Sequence, residues 1–118
     1  TVEAYNATTD RWVMLAETIH NHYYFGAAAH EGKIYVCSHV GFEVYSPDID
    51  GWTKLRSING YWGRTLVSLN GKLLAIGGGH IGKETKSVFS YDINTDQWTQ
   101  LPDMDIPRYG HCSFVINL

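Results

Sequence analysis

Imidazoles are the first side chains in this sequence that could do chemistry. His20 and His22 alternate along one short stretch, and His39, His80 and His111 follow from distant segments. A zinc or copper site needs three or four donors within ~2.1 Å of one ion. Nothing in this spacing brings the rings together, and neither HExxH nor CxxC occurs. Cys37 and Cys112 stand alone in apolar stretches and read as buried, reduced thiols of a cytosolic protein. Nucleophilic and phosphate chemistry have no better footing. There is no GxSxG elbow, and Gly77-Gly-Gly-His-Ile-Gly82 precedes neither a helical pattern nor a Lys-Ser/Thr pair. The expectation is a chain without catalytic residues, metal or cofactor.

The elements that position these residues are written three times. Tyr5-Asn-Ala-Thr-Thr-Asp10-Arg-Trp12-Val-Met-Leu15 is echoed from Tyr45 to Leu55 and from Tyr91 to Leu101, each copy keeping Tyr, Asp, Trp and Leu at the same offsets. The copies start 40 and then 46 residues apart. Self-similarity at this period marks an array of supersecondary units. A large aromatic at the same place in each unit is expected to pack unit against unit, so Tyr5, Trp12, Tyr45, Trp52, Tyr91 and Trp98 read as structural. The Asp two before each Trp reads as a turn cap. Asn6-Ala7-Thr8 is formally a glycosylation sequon but lies in the repeat's own turn.

Within a unit the pattern is all-β. Apolar runs at 27–30 and 66–69 lead into Glu31-Gly32 and Asn70-Gly71, a short-range hairpin signal. Lys33–Cys37 and Lys72–Ile76 follow as central strands. A third strand carries the Tyr, a polar turn reverses the chain, and a fourth carries the Trp and Leu. These four antiparallel strands are termed a to d.

These residues resemble the kelch repeat, whose pattern is a double Gly after an apolar strand and then a spaced Tyr and Trp. Gly77-Gly78, Tyr91 and Trp98 match in order and spacing, as does Pro107-Arg108 opening the next unit; the middle unit departs, with Ser38-His39 in place of the double Gly. The resemblance implies an all-β fold, a partial kelch-type β-propeller of four-stranded blades. Residues 1–15 are expected to form strands c and d of one blade, 23–58 and 62–104 a full blade each, and 108–118 strand a of a further one, eleven strands together. A propeller closes with about four to eight blades. The remaining blades are therefore expected in cis or, as the weaker alternative, by self-assembly of copies into a ring.

Alternating strand direction sends the d–a and b–c connections to one face and the short a–b and c–d turns to the other. The first face receives five of the six histidines and Trp62, the one Trp outside the repeat. Asn59, Lys83, Glu84 and Lys86 fall there too. Arg, Tyr and Trp dominate binding hot spots, and irregular loops on a rigid scaffold carry function. His22, Tyr23, His39, Arg56, Tyr61, Trp62, Arg64, His80, Arg108 and Tyr109 are thus the candidate binding residues for a protein ligand. Net charge is −3 without a long run of one sign, which offers no footprint for nucleic acid or an anionic membrane. No apolar stretch reaches the ~18 residues of a membrane span.

Within the family, resemblance to the BTB-kelch group implies a cytoplasmic, non-catalytic substrate receptor of a cullin-based ubiquitin ligase; other kelch proteins bind actin or act as scaffolds. The alternative is a kelch-like enzyme, such as a copper radical oxidase or a sugar epimerase.

Overall fold

A computed structural model describes residues 1–58 and 60–117. Asn59, expected on the loop face, and Leu118, the last residue expected in strand a, lie outside the described residues. Strand β1 (Val2–Asn6) pairs with β2 (Arg11–Leu15). Strands β3 (Gly26–His30), β4 (Lys33–Ser38), β5 (Gly41–Ser46) and β6 (Gly51–Lys54) form an antiparallel sheet in sequence order. After β7 (Thr65–Leu69) and β8 (Lys72–Ile76), a small hairpin of β9 (Gly79–His80) and β10 (Lys83–Glu84) intervenes. Then β11 (Val88–Asp92) and β12 (Gln97–Leu101) complete a sheet ordered β7, β8, β11, β12. No helix occurs among the described residues.

Local chemistry makes these hairpins. Glu31 and Gly32 adopt φ of 47° and 76°, and Asn70 and Gly71 adopt 50° and 77°, the doubly positive turn whose twist matches paired strands. Asn6 Oδ1 accepts the N–H groups of Thr8 at 2.9 Å and Thr9 at 3.3 Å, so the sequon is a side-chain-capped turn.

The core lies between the two four-stranded blades. Phe42 of β5 meets the Tyr91 ring edge-on at 4.7 Å and Trp98 at 5.0 Å, over buried Tyr35, Leu66, Leu73 and Ala75. Packing is closest where β3 and β7 run side by side. A Cβ on Gly26 would stand 2.7 Å from the Leu66 nitrogen and 2.8 Å from the Arg64 carbonyl oxygen, so only glycine lets these two backbones approach.

The repeated Tyr, Asp and Trp do more than pack. In register, Tyr45 faces Trp52 and Tyr91 faces Trp98, with ring centroids 5.2 and 4.9 Å apart. The Tyr45 hydroxyl donates to Asp50 Oδ1 at 2.7 Å, and Tyr91 does the same to Asp96. The same oxygens accept a backbone N–H from the preceding blade, Ala16 onto Asp50 and Arg56 onto Asp96, both at 2.9 Å. The indoles take the matching carbonyls: Trp52 Nε1–H donates to Ala16 at 2.8 Å and Trp98 Nε1–H to Arg56 at 2.6 Å. Each of these two Asp residues, expected to cap its own turn, instead joins with the Trp to grip the residue after the repeated Leu of the blade before it.

Three further expectations change. Of the segment expected to form strand a, 108–118, the described residues 108–117 lie in no strand. Of these, 111–117 run against β7 instead, with Thr65 Oγ1 bonded to His111 Nε2 at 3.1 Å and to Ser113 Oγ at 2.5 Å. The hairpin β9–β10 was not foreseen. It fills a b–c connection of eleven residues between β8 and β11, where the preceding blade uses two between β4 and β5. Of the two thiols, Cys37 is buried, but Cys112 is exposed.

Candidate functional site

The d–a and b–c connections meet at one end of the blades, and backbone bonds lock them there. Tyr24, Gly63 and Gly110 occupy the same place before their respective innermost segments, and all have positive φ, at 51°, 68° and 62°. Each is chained to the last: Gly63 N–H donates to the Tyr24 carbonyl and Gly110 N–H to the Gly63 carbonyl, both at 3.0 Å. Trp62 and Gly79 exchange N–H···O bonds at 2.8 Å in both directions, which pins the β9–β10 hairpin to the start of β7. Gly78 N–H reaches the Arg108 carbonyl at 2.8 Å, and Arg108 N–H reaches the Thr85 carbonyl at 3.2 Å.

The double Gly is what allows that crossing. Gly77 and Gly78 have φ of 71° and 107°; a Cβ on Gly77 would lie 2.4 Å from the Arg108 carbonyl oxygen, and one on Gly78 2.8 Å from Arg64 Cγ. In the other blade, Ser38 and His39 hold these places without the long loop; the Ser38 hydroxyl bonds inward to His22, and the His39 ring joins the site.

On this scaffold sits an aromatic cluster. His39 stacks on Trp62 at 3.7 Å with the planes 9° apart. Tyr23 leans on both, at 5.1 Å from His39 and 5.7 Å from Trp62. Tyr24 lies 6.1 Å from Trp62 on the outer side, and Tyr61 stacks with His80 at 5.8 Å. Tyr23, Tyr24 and Tyr109 are half or more exposed. Tyr24, Trp62, His80, Lys83, Glu84 and Tyr109 line a concavity of about 780 Å³.

Not every expected residue belongs to this cluster. His22 is turned inward: its Nε2–H donates to Glu43 Oε2 and its Nδ1 meets Ser38 Oγ, both at 2.6 Å, with the side chain 4% exposed. Buried Glu43 also accepts the N–H groups of Ile19 at 2.8 Å and His20 at 3.0 Å. Burial alone would raise the Glu43 carboxyl, but the bonds from Ile19, His22 and His20 outweigh it and hold its pKa below the usual value. This triad straps the d–a loop onto β5; it is an anchor, not a contact surface.

Arg64, likewise expected to face a ligand, is 2% exposed. It donates to the Gly77 carbonyl at 2.8 Å and lies over the rings of Tyr61 at 4.8 Å and Phe89 at 5.3 Å. Its charge counters, without cancelling, the burial that pushes the neighbouring Cys37 thiol up to about 12. Arg56 is held by Asp96 and Trp98 at the turn of the next blade, outside the concavity, and Arg108 borders a smaller groove with His111 and Phe114.

Tyr24 and Ile81 were missed. Ile81 tips the β9–β10 hairpin at 85% exposure with φ of 48°, and no sequence pattern distinguishes it. Tyr24 could have been found by aligning it with Gly63 and Gly110, since a residue in glycine's place that is not glycine is there for its side chain. Among the described residues, no three His, Cys, Asp or Glu side chains converge in an arrangement that could hold a metal ion.

Comparison with known proteins agrees with this architecture. Residues 63–105 match the Kelch motif family, which spans the second full blade. The fold superposes on the solved structure of YjhT with a TM-score of 0.79 at 22% identity, over 87% of this chain and 34% of that one. The chain thus spans about a third of that structure's length. No curated protein matches the sequence. The fold is all-β, part of a kelch-type propeller built from four-stranded antiparallel blades.

Proposed function

We propose that the face where the d–a and b–c connections meet is a non-catalytic protein-recognition surface. The observation that carries this reading is that Tyr24, Trp62, His80 and Tyr109 line one concavity on a hydrogen-bonded backbone, with Tyr23 and His39 packed against Trp62 beside it. Aromatic rings offer large contact area for little lost rotamer freedom, and a pre-organised backbone lowers the ordering cost of binding. Lys83 and Glu84 at the rim supply charges of both signs, as a polar rim around an apolar centre requires.

Within this reading the partner is a substrate of a cullin-based ubiquitin ligase or an actin or scaffold partner. The setting proposed for it is cytoplasmic. The test is an affinity capture from cytosol with the full chain, repeated with Trp62→Ala and Tyr109→Ala. Loss of the same captured proteins in both variants, with the near-ultraviolet circular dichroism of the other aromatics unchanged, supports the reading. Capture that persists in both, or that falls equally with Lys33→Ala on the opposite turns, refutes it.

A further inference from the structure

Among the described residues, seven other than glycine adopt positive φ. Five of them, Asp10, Glu31, Asp50, Asn70 and Asp96, carry polar side chains in turns between paired strands, where the reversal requires that conformation. Tyr24 and Ile81 are the exceptions, at 51° and 48°. A bulky or β-branched side chain is strained there, and Ile81-Gly82 occupies a two-residue turn that favours Asn-Gly or Asp-Gly. Burial offsets neither strain, since Tyr24 is 72% and Ile81 85% exposed. Yet both line the same concavity, together with Trp62 and Tyr109. Strain that the fold does not need, gathered at one cavity, marks contact residues.

The chemistry of the lining narrows the occupant. Trp52 and Trp98 donate their indole N–H groups within the fold, but the Trp62 indole and the hydroxyls of Tyr24 and Tyr109 have no partner among the described residues. Donors are therefore free. Acceptors are scarce: the carbonyls of Trp62, Gly63 and Gly79 already accept the N–H groups of Gly79, Gly110 and Trp62, at 2.8, 3.0 and 2.8 Å. Glu84 is the one carboxylate in the lining among the described residues, and Lys83 beside it offsets its charge. The occupant that fits is uncharged at its centre, apolar in outline, rich in carbonyls and poor in N–H groups.

Resting on the protein-recognition reading above, we infer that this concavity takes a proline-rich segment of the partner in the polyproline II conformation, with Tyr24, Trp62, Ile81 and Tyr109 as its contacts. Proline lacks the N–H that this lining cannot satisfy, and its solvated carbonyls can accept from indole and phenol donors. Aromatic-lined grooves hold such segments, whose preformed backbone loses little entropy on docking.

In the 15N-labelled full chain, the Trp62 indole N–H resonance is followed against unlabelled decaproline and a Gly-Ser peptide of the same length. Decaproline should shift the resonance and bind about tenfold more tightly. Two substitutions relieve the strain rather than add any. Ile81→Asn supplies a residue that favours the turn, and Tyr24→Gly restores the glycine found at the equivalent positions Gly63 and Gly110. Each should weaken decaproline binding about fivefold, while Ile81→Asn unfolds thermally no lower than the natural chain. Equal binding of the two peptides, natural affinity in either variant, or a lower midpoint for Ile81→Asn overturns the inference. So does a Trp62 shift with cellohexaose and none with decaproline, which would make the concavity a sugar site. If cytosolic capture depends on Trp62 and Tyr109 but decaproline does not bind, the recognition surface stands and its proline-rich occupant falls.

Discussion

A residue type repeated at the blade period need not have the same energetic weight in every copy. Trp98 packs on Phe42 and Tyr91 and bonds to the Arg56 carbonyl, whereas Trp12 is 67% exposed. Trp98→Ala removes a packed ring and leaves a cavity, so it should cost roughly 3–5 kcal/mol in unfolding free energy. Trp12→Ala should cost less than about 1 kcal/mol, as surface changes do. Chemical denaturation of both variants checks this; equal losses would mean that the exposed copy packs in solution. Glu43 carries a pH prediction at the same scale. Its folded pKa lies below the ordinary value of 4.5, so its contribution is fully present above that pH and fades as pH falls through the depressed value. Glu43→Gln should lower stability near neutrality and flatten the acid limb of the stability–pH curve. An unchanged acid limb in the variant would place the acid sensitivity elsewhere.

At the scale of elements, the strands were legible because hairpin chemistry is local. Glu31-Gly32 and Asn70-Gly71 announce their turns, and the spacing of Tyr and Trp announces the outer pair of strands. The face assignment followed from alternating direction alone, which is why Tyr23, His39, Trp62, His80 and Tyr109 do gather there. Orientation was not legible. Nothing local says that His22 turns inward to Glu43, or that Arg64 lies beneath the b–c loop, because both partners come from other segments of the chain. The β9–β10 hairpin escaped for the opposite reason: its strands are two residues long and carry no alternation. The double Gly gives this scale its prediction. Gly77→Ala would force a Cβ to 2.4 Å from the Arg108 carbonyl oxygen at a φ of 71°, while Gly82, with the same φ, has nothing within 4 Å. Strain and overpacking together should cost about 2–4 kcal/mol at Gly77, and φ strain alone about 1 kcal/mol at Gly82. Thermal unfolding of the two variants separates these values, and similar midpoints would show that Arg108 yields without penalty.

For the molecule as a whole, one exposed apolar segment stands out as a surface that can associate. Residues 111–117 run extended against β7 with no ladder of their own among the described residues, and Phe114, Val115 and Ile116 are 83, 48 and 72% exposed. An exposed apolar segment outside any sheet templates pairing with another chain. Association of the natural chain should therefore run through this segment. Replacing Phe114 and Ile116 with Lys puts two like charges on the segment and removes its apolar contact, the same device that protects natural edge strands. Light scattering at micromolar concentration should then show a smaller mass for the double variant than for the natural chain, while Asp10→Ala scatters like the natural chain. The opposite pattern, with association surviving the two lysines and lost on Asp10→Ala, would mean that the copies meet at the turn of Tyr5, Asp10 and Trp12 instead.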